Sequence, residues 1–246
     1  MNLPVFLFTD FGSADIYIGQ VKGVLHERAP GCAVIDLLND APAFDITASA
    51  HLLAALVHHL PCASVVLGVV DPGVGGARGA VVVEADGRWF VGPDNGLFSI
   101  VRARSSSSTC YALDWLPPPA SASFHGRDLF APAAAALASG RADMHARETR
   151  PALSVELGAA DILRVIYVDH YGNVLTGVRA AALQSSARVR LKNRAISHAR
   201  VFSDVAAGEL FWYGNSIGLL EVAANHASAS AMLGVAIGDE ITVTNS

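Results

Sequence analysis

The stretch from Ser64 to Arg78, SVVLGVVDPGVGGAR, decides how this chain folds. Its first half is apolar apart from one glycine, which is typical of a buried strand, and the apolar run stops abruptly at Asp71. Parallel strands in open α/β sheets deliver the residues at their carboxyl ends to the edge where ligands bind. The stretch therefore predicts a functional site that contains Asp71 and Arg78.

The glycines of this stretch have simpler interpretations. A phosphate-binding P-loop and a dinucleotide fingerprint both lead from the glycines into a helix, whereas Gly79–Glu84 is predicted to be a strand. Both nucleotide motifs are therefore excluded. The alternative that stays open from the stretch alone is a glycine-rich hairpin in which Asp71 and Arg78 form a structural ion pair.

Composition limits the classes of function. The chain has 246 residues, of which 52% are hydrophobic, and its formal net charge is −5. The length allows one large or two small domains, and no apolar run is long enough to span a membrane. The net charge provides no basic surface for nucleic acid. We therefore expect a globular protein that binds neither nucleic acid nor membranes.

Three cysteines without a Cys-x-x-Cys spacing predict neither a disulfide framework nor a zinc site. His51 and His58 share a helical face, but no carboxylate accompanies them, so helix packing is the preferred interpretation and no metal site is predicted. The chain enters a strand almost at once, so we expect no signal peptide and a cytoplasmic location.

Strands and helices alternate in the first part of the chain, which predicts an α/β domain over residues 1–150. Its sheet is expected to be mainly parallel or mixed and flanked by helices. The second helix follows Asp45, a predicted N-cap. The leading elements are strands at Val5–Phe8 and Ala33–Leu37 and helices at Tyr17–Arg28 and Ile46–Leu60.

The remaining residues, 151–246, are predicted to form a smaller β-rich, barrel-like domain. Short alternating segments dominate this part, with one alanine-rich helix predicted at Asn225–Leu233. The predicted strands lie at Leu163–Val168, Arg188–Lys192, Leu210–Tyr213, Leu219–Ala223 and Ile241–Val243.

Several other polar turns follow predicted strands, as Asp71 does. Asp10 and Asp15 follow the first strand, and Asn95 lies in the turn after another. His125 stands beside a glycine just before an alanine-rich helix, where its side chain is presented rather than buried. Carboxylate, guanidinium and imidazole groups together support proton transfer and the stabilisation of charge.

Six motifs, in this order, resemble those of the S-adenosylmethionine (SAM) hydrolases. This family is also called the SAM hydroxide adenosyltransferases, and it is related to fluorinating and chlorinating enzymes that use the same substrate. The resemblance covers nearly the whole chain. The motifs are Phe8–Gly12, Val70–Gly75 with Arg78, Gly92–Leu97, Phe124–Asp128, Gly172–Asn173 and Asn215–Glu221.

The resemblance implies that water attacks C5′ of SAM and displaces methionine, which leaves adenosine. It implies Asp71, Arg78 and His125 as catalytic residues around the water, and it requires neither a metal nor a cofactor. The choice between Asp71 and His125 as the final proton acceptor stays open. The presence of the Asp-Pro-Gly-Val-Gly signature with Arg78 argues for water over halide, because the halogenating relatives lack it.

The resemblance also implies the substrate contacts. Asp10 would bind the ribose diol, Phe44 would pack near the nucleoside, and Asn95 belongs to the same substrate-binding set. Asp15 and Asp169 would meet the methionine ammonium and Ser216 its carboxylate, while Asn173 and Asn225 would read the adenine edge. A homotrimer is implied, in which a neighbouring subunit supplies the second-domain residues.

Two positions depart from the family pattern. Asn39 stands where the family commonly has histidine, and Ile217 stands where the halogenating relatives have arginine. Two alternatives to a hydrolase are a 5′-halogenating adenosyltransferase and a non-catalytic sensor of SAM or adenosine.

Overall fold

The structure is a computed structural model that describes residues 2–113, 121–142 and 148–244. The chain divides into two compact units, residues 1–159 and 160–246. The sequence placed the boundary near residue 150. In the structure the following segment packs with the first unit, because Arg150 and Ser154 both bond to the carboxylate of Asp94.

The first unit is built on a seven-stranded mixed sheet. Its strand order is β2-β1-β3-β5-β4-β6-β7, in which β2, β1, β3 and β5 run parallel and the other neighbours pair antiparallel. The strands are β1 Val5–Thr9, β2 Val34–Leu38, β3 Val65–Val69, β4 Ala80–Ala85, β5 Arg88–Pro93, β6 Ser108–Ala112 and β7 Thr149–Arg150.

The described residues of this unit contain four α-helices: α1 Ile16–Arg28, α2 Ile46–Leu56, α3 Ser99–Arg104 and α4 Ala131–Ala138. Helix α1 packs beside α4, and the alanines of α4 lie in the same buried cluster as β1 and β3. Small side chains allow this close approach of helix to sheet. The α/β domain predicted from the alternating pattern is thereby confirmed.

The second unit contains a seven-stranded sheet of order β14-β10-β11-β12-β13-β9-β8. Its two ends approach each other, because Arg164 of β8 forms a bridge with Glu240 and the Val165 amide donates to the Asp239 carbonyl. The sheet is therefore nearly closed, as the barrel-like prediction required. The strands are β8 Ile162–Val168, β9 Val174–Arg179, β10 Arg188–Leu191, β11 Arg194–His198, β12 Leu210–Gly214, β13 Leu219–Ala224 and β14 Ile241–Thr244.

Two predicted helices are shorter than expected. The helix after Asp45 ends at Leu56 and continues as a 3-10 turn over Val57–His59. The last helix, α5 Ala229–Leu233, does not begin at Asn225, because the side chain of Ser228 caps it by accepting from the Ala231 amide. Asp45 caps α2 as predicted, by accepting from the Ala48 amide at 2.9 Å.

Glycines let β3 and β5 come together beneath a large aromatic side chain. A Cβ at Gly92 would lie 2.0 Å from the Gly68 carbonyl oxygen and 2.9 Å from the Phe98 ring. Phe98 is itself almost fully buried. Backbone and a buried ring cannot both retreat in a close-packed core, so this site tolerates no side chain.

We expect Gly92→Ala to lower the free energy of unfolding by about 3 kcal/mol, at the upper end of the cost of overpacking. Gly19→Ala is the matched control, because Gly19 lies on the exposed face of helix α1 and an added Cβ there meets nothing within 4 Å. This control is expected to stabilise by about 0.5–1 kcal/mol. Urea unfolding of both variants checks the prediction, and equal effects would contradict it.

Candidate active site

A cavity of about 380 Å³ lies at the carboxyl ends of β1 and β3 in the first unit. Its position follows from the sheet, because parallel neighbours present their last residues at one edge. The cavity brings together most of the residues that the sequence nominated in this unit. Its lining includes Asp10, Asp15, Phe44, Asp71 and His125.

Asp71 and Arg78 form a close, largely buried pair. The Arg78 Nε atom donates to both Asp71 carboxylate oxygens at 3.0 Å, and its Nη2 atom contacts Oδ2 as well. The side chains are 4% and 13% exposed. The guanidinium also stacks over the Phe130 ring, with its Cζ atom 5.2 Å from the ring centroid. This planar arrangement fixes the orientation of the carboxylate.

His125 joins the pair through Arg78. The Arg78 Nη2 atom lies 2.9 Å from His125 Nδ1. Arginine has only donors, so Nδ1 must accept this bond and the proton of the neutral ring sits on Nε2. Burial and the Arg78 charge lower the pKa of His125, which favours this neutral form.

Two glycines let the loops that carry these side chains touch their neighbours. Gly75 has a φ of +78°, and a Cβ there would lie 2.5 Å from the Ala122 carbonyl oxygen, three residues before His125. A Cβ at Gly126 would lie 2.7 Å from the Phe11 ring. The glycine cluster after Asp71 is thus a requirement of close approach and of a left-handed turn.

The Asp10 carboxylate lines the same cavity and accepts a hydrogen bond from the Phe44 amide at 3.2 Å. Burial raises the pKa of Asp10, and the nearby Asp71 carboxylate adds to this effect. Phe44 has a φ of +63° and its side chain is 76% exposed at the cavity rim. Asp15 caps α1 by accepting from the Ile16 amide at 2.6 Å.

The second unit has a cavity of its own, of about 760 Å³. Asp169, Asn173 and Ser216 line it, as does the exposed ring of Tyr171. The Asp169 carboxylate accepts from the amides of Tyr171 and Asn173 at 2.9 and 2.8 Å, and from the Asn173 side chain at 2.9 Å. These bonds hold the predicted turn in place.

Glu221 lines this second cavity and was not nominated from the sequence. It is 4% exposed and accepts from the Tyr213 hydroxyl at 2.6 Å and from the side-chain amide of Asn215 at 2.9 Å. Burial raises its pKa, and burial together with Glu221 raises the pKa of Tyr213. The sequence signal that could have identified it is a carboxylate within the otherwise apolar run Leu219–Ala223.

Three predicted site residues line neither cavity: Arg78, which contacts the cavity residues Asp71 and His125, and the two asparagines Asn95 and Asn225. Asn95 donates its side-chain amide to the Val70 carbonyl at 2.9 Å, and Asn225 donates to the Val205 carbonyl at 2.9 Å. Both therefore bond the backbone. Asn39 is buried: its side-chain oxygen accepts from the Thr9 hydroxyl and its side-chain nitrogen donates to Asp36.

Within the part of the chain that the structure describes, no three His, Cys, Asp or Glu side chains are grouped in a way that would hold a metal ion. His51 is buried within α2. No helix of residues 2–113, 121–142 or 148–244 has the length and apolarity needed to cross a membrane.

Comparison with solved structures supports the fold. A protein from Thermotoga maritima, titled an uncharacterized conserved protein, superimposes with a TM-score of 0.88 and is 30% identical. The match covers 98% of this chain and 100% of that one. A conserved hypothetical protein from Thermus thermophilus matches with a TM-score of 0.78 at 36% identity, with coverages of 98% and 100%.

Curated relatives match along nearly the whole chain. A Thermus thermophilus protein named (R)-S-adenosyl-L-methionine hydrolase is 40% identical, and the match covers 96% of this chain and 97% of the relative. A protein of the same name from Salinispora arenicola is 39% identical, with coverages of 96% and 95%. A fluorinase from Actinoplanes sp. is more distant, at 24% identity over 98% and 97%.

Family models match both units of the chain. The model of the SAM hydroxide adenosyltransferase N-terminal domain matches residues 5–147, and the model of the C-terminal domain matches residues 163–242. The resemblance read from six motifs is confirmed. The chain belongs to the SAM hydroxide adenosyltransferase family.

Proposed function

We propose that this protein hydrolyses SAM at C5′ to give adenosine and L-methionine. One observation carries the proposal: the Asp71–Arg78–His125 cluster opens into a cavity that also presents the Asp10 carboxylate. The relatives that are 38–40% identical and are named (R)-S-adenosyl-L-methionine hydrolase support the same activity, whereas the named fluorinase is only 24% identical.

The chemistry is a single displacement. The water oxygen forms a bond to C5′ while the C5′–S bond breaks, and the bonding electron pair goes to sulfur, so that the sulfonium leaves as the neutral thioether of methionine. The water also loses a proton. Placing the water and the carbon in line lowers the barrier, because positioned reactants avoid most of the entropic cost of a bimolecular step.

Asp71 is the proton acceptor in this proposal. His125 Nδ1 is already bonded by Arg78, and Nε2 of the neutral ring carries a proton, so the imidazole has no lone pair left to act as the base. Asp71 has carboxylate oxygens with further acceptor capacity. The Nε2–H of His125 is left to donate to the water oxygen and stabilise its developing hydroxide character.

The substrate contacts are assigned by resemblance, on the cavity residues. We propose that Asp10 binds the ribose diol, that Phe44 covers the nucleoside, and that Asp15 meets the methionine ammonium. In the second unit, Asp169 and Ser216 bind the amino-acid end and Asn173 the adenine edge. Carboxylates are suited to both diol and ammonium donors. Asn95 and Asn225 do not contact the substrate directly in this scheme.

We propose a homotrimer in which the second-unit cavity of one subunit completes the first-unit cavity of a neighbour. Exposed aromatic rings at each cavity support it: Phe44 is 76% and Tyr171 75% exposed. Such surfaces commonly become buried on assembly.

Light scattering tests the mass of the assembly, and mixing Asp71→Ala with Asp169→Ala subunits tests whether the site is shared between subunits. Partial recovery of activity supports it, and a fully active monomer would overturn it.

The proposed reaction needs no metal or redox cofactor, because the leaving group is already a sulfonium and departs as a neutral molecule. Dialysis against a chelator is expected to leave the rate unchanged. We also propose a cytoplasmic location, in keeping with three free thiols, since disulfides are rare in that compartment.

The pH dependence follows from His125. Its pKa is lowered from the ordinary value of 6.5. Only the neutral ring accepts the Arg78 bond, so activity is retained above the lowered pKa and lost as pH falls through it. We expect the acid limb of kcat/KM to be centred below pH 6.5. A pH profile at constant ionic strength checks this, and a limb centred above that value would contradict it.

The activity test is incubation with SAM and chromatography of the nucleosides, with and without chloride or fluoride. Adenosine and methionine in equal amounts, independent of halide, support the hydrolase. A 5′-halogenated nucleoside would replace it with the halogenating alternative. If calorimetry shows tight binding of SAM but no product forms, the protein is a sensor and not a hydrolase.

A further inference from the structure

Asn95 lies outside the cavity, yet its side chain bonds next to the catalytic carboxylate. Its Nδ2 atom donates to the carbonyl of Val70, the residue directly before Asp71, at 2.9 Å. Its Oδ1 atom accepts from the Leu97 amide at 3.3 Å, which fixes the side chain in that orientation. Val70 is fully buried, so this bond has no water to compete with it.

The order of the strands gives this bond its importance. The catalytic loop, residues 70–79, leaves β3 and enters β4, and β5 lies between those two strands in the sheet. The parallel ladder of β3 with β5 ends at the pair Leu67 and Val91. Beyond that pair, the side chain of Asn95 takes the place of a backbone ladder and joins the turn after β5 to the start of the loop.

The neighbouring residue holds the other end of the loop. The Asp94 amide donates to the carbonyl of Gly79, the residue directly after Arg78, at 3.0 Å. The Asp94 side chain is fully buried and accepts from Arg150 at 2.5 Å, and from the Ser154 amide and hydroxyl at 2.9 and 2.6 Å. The turn that carries Asp94 and Asn95 is therefore also held by Arg150 and Ser154, which lie outside the catalytic loop.

We propose that Asn95 is a positioning residue that sets the placement of Asp71 relative to Arg78 by bonding the start of the catalytic loop. It does so without touching the substrate. The proposal rests on the proposed function for its kinetic consequence. If it holds, loss of the Asn95 side-chain amide misplaces the Asp71 carboxylate and slows the chemical step. Substrate binding is preserved, because Asn95 does not line the cavity and Asp71 acts on the water and not on the substrate.

Asn95→Ala and Asn95→Asp test this, with Ser99→Ala as the matched control. Asn95→Asp keeps the acceptor for the Leu97 amide, loses the donor to the Val70 carbonyl and places a negative charge there. Ser99 is buried in the same region, donating to the Gly96 carbonyl at 2.8 Å and accepting from the Leu157 amide at 3.2 Å. Its loss removes comparable hydrogen bonds that are not joined to the catalytic loop.

Both Asn95 variants are expected to lower kcat by about tenfold or more with KM within about twofold, because misplacement acts on the transition state. Ser99→Ala is expected to lower the melting temperature as much and leave kcat unchanged. An unchanged kcat in Asn95→Ala, or an equal loss in Ser99→Ala, would overturn the proposal.

An NMR titration of His125 separates this proposal from the proposed function. The Asp71 carboxylate raises the pKa of His125, so a displaced Asp71 lets that pKa fall further in Asn95→Ala and not in Ser99→Ala. If the wild type does not hydrolyse SAM but this pKa shift is seen, the proposed function is wrong and the positioning role of Asn95 stands. An unshifted titration in an active enzyme overturns the positioning role.

Discussion

Asp71→Asn is expected to lower kcat for SAM hydrolysis by about 10³-fold, within the usual contribution of a positioned general base. The substitution keeps the size of the side chain and removes its ability to take the proton of the attacking water. It also places an amide where the Arg78 guanidinium makes two bonds of 3.0 Å. KM is expected to change little, because Asp71 acts on the water and not on the adenosyl or methionine groups.

The control for this variant is Asp239→Asn, which removes another carboxylate that pairs with a cation. Asp239 pairs with Lys192 at 2.5 Å, and both side chains are partly exposed. It is expected to retain full activity, since exposed pairs contribute about 0–1 kcal/mol. Chromatography of adenosine at saturating SAM measures both variants. A loss below about tenfold in Asp71→Asn would mean that another group takes the proton.

Arg78→Lys is expected to lower kcat by about 10²-fold although it preserves the positive charge. One ammonium cannot reproduce the planar set of donors that holds both Asp71 oxygens and His125 Nδ1 together. The carboxylate keeps a counter-charge but loses its fixed orientation. Displacements of about 1 Å at such a centre cost about 10² in rate.

Arg102→Lys is the matched control for that change. Arg102 pairs with Glu156 and donates to the Pro151 carbonyl at 3.0 Å, and it does not line the cavity. We expect an unchanged kcat. Steady-state kinetics with circular dichroism measures both variants. Full activity in Arg78→Lys would show that charge alone suffices and that the paired geometry is dispensable.

The sequence predicted the parts of the site that depend on local pattern. A buried strand that stops at a carboxylate places Asp10 and Asp71 at one sheet edge, because both strands are parallel neighbours in the structure. The glycines after Asp71 similarly predicted a tight turn. The barrel-like second unit followed from short alternating segments.

The sequence could not predict in which direction a side chain points within a turn. Asn95 sits in a polar turn at a strand end, as a binding residue would, and only the strand order reveals that its amide points to the Val70 carbonyl. Glu221 was not predicted as a site residue, because nothing in its local sequence resembles a polar turn. Its neighbours are apolar, and the partners that stabilise it, Tyr213 and Asn215, come from an adjacent strand and turn.

Secondary-structure differences have similar causes. β6, Ser108–Ala112, begins within a run of serines that predicts a loop, and it forms because β4 offers it an antiparallel partner. Helix α5 is shorter than its alanine-rich pattern because a residue with positive φ, His226, precedes the Ser228 cap. For β6 a tertiary contact outweighs intrinsic propensity, whereas for α5 the local backbone and its cap do so.

The central claim is that a water molecule held beside Asp71, Arg78 and His125 attacks C5′. Hydrolysis in ¹⁸O-labelled water, followed by mass spectrometry of the adenosine, tests this most directly. The account predicts that every adenosine formed carries one ¹⁸O atom at its 5′ oxygen, and that Asp71→Asn loses this product. Adenosine without label, or 5′-methylthioadenosine as the main product, would contradict it.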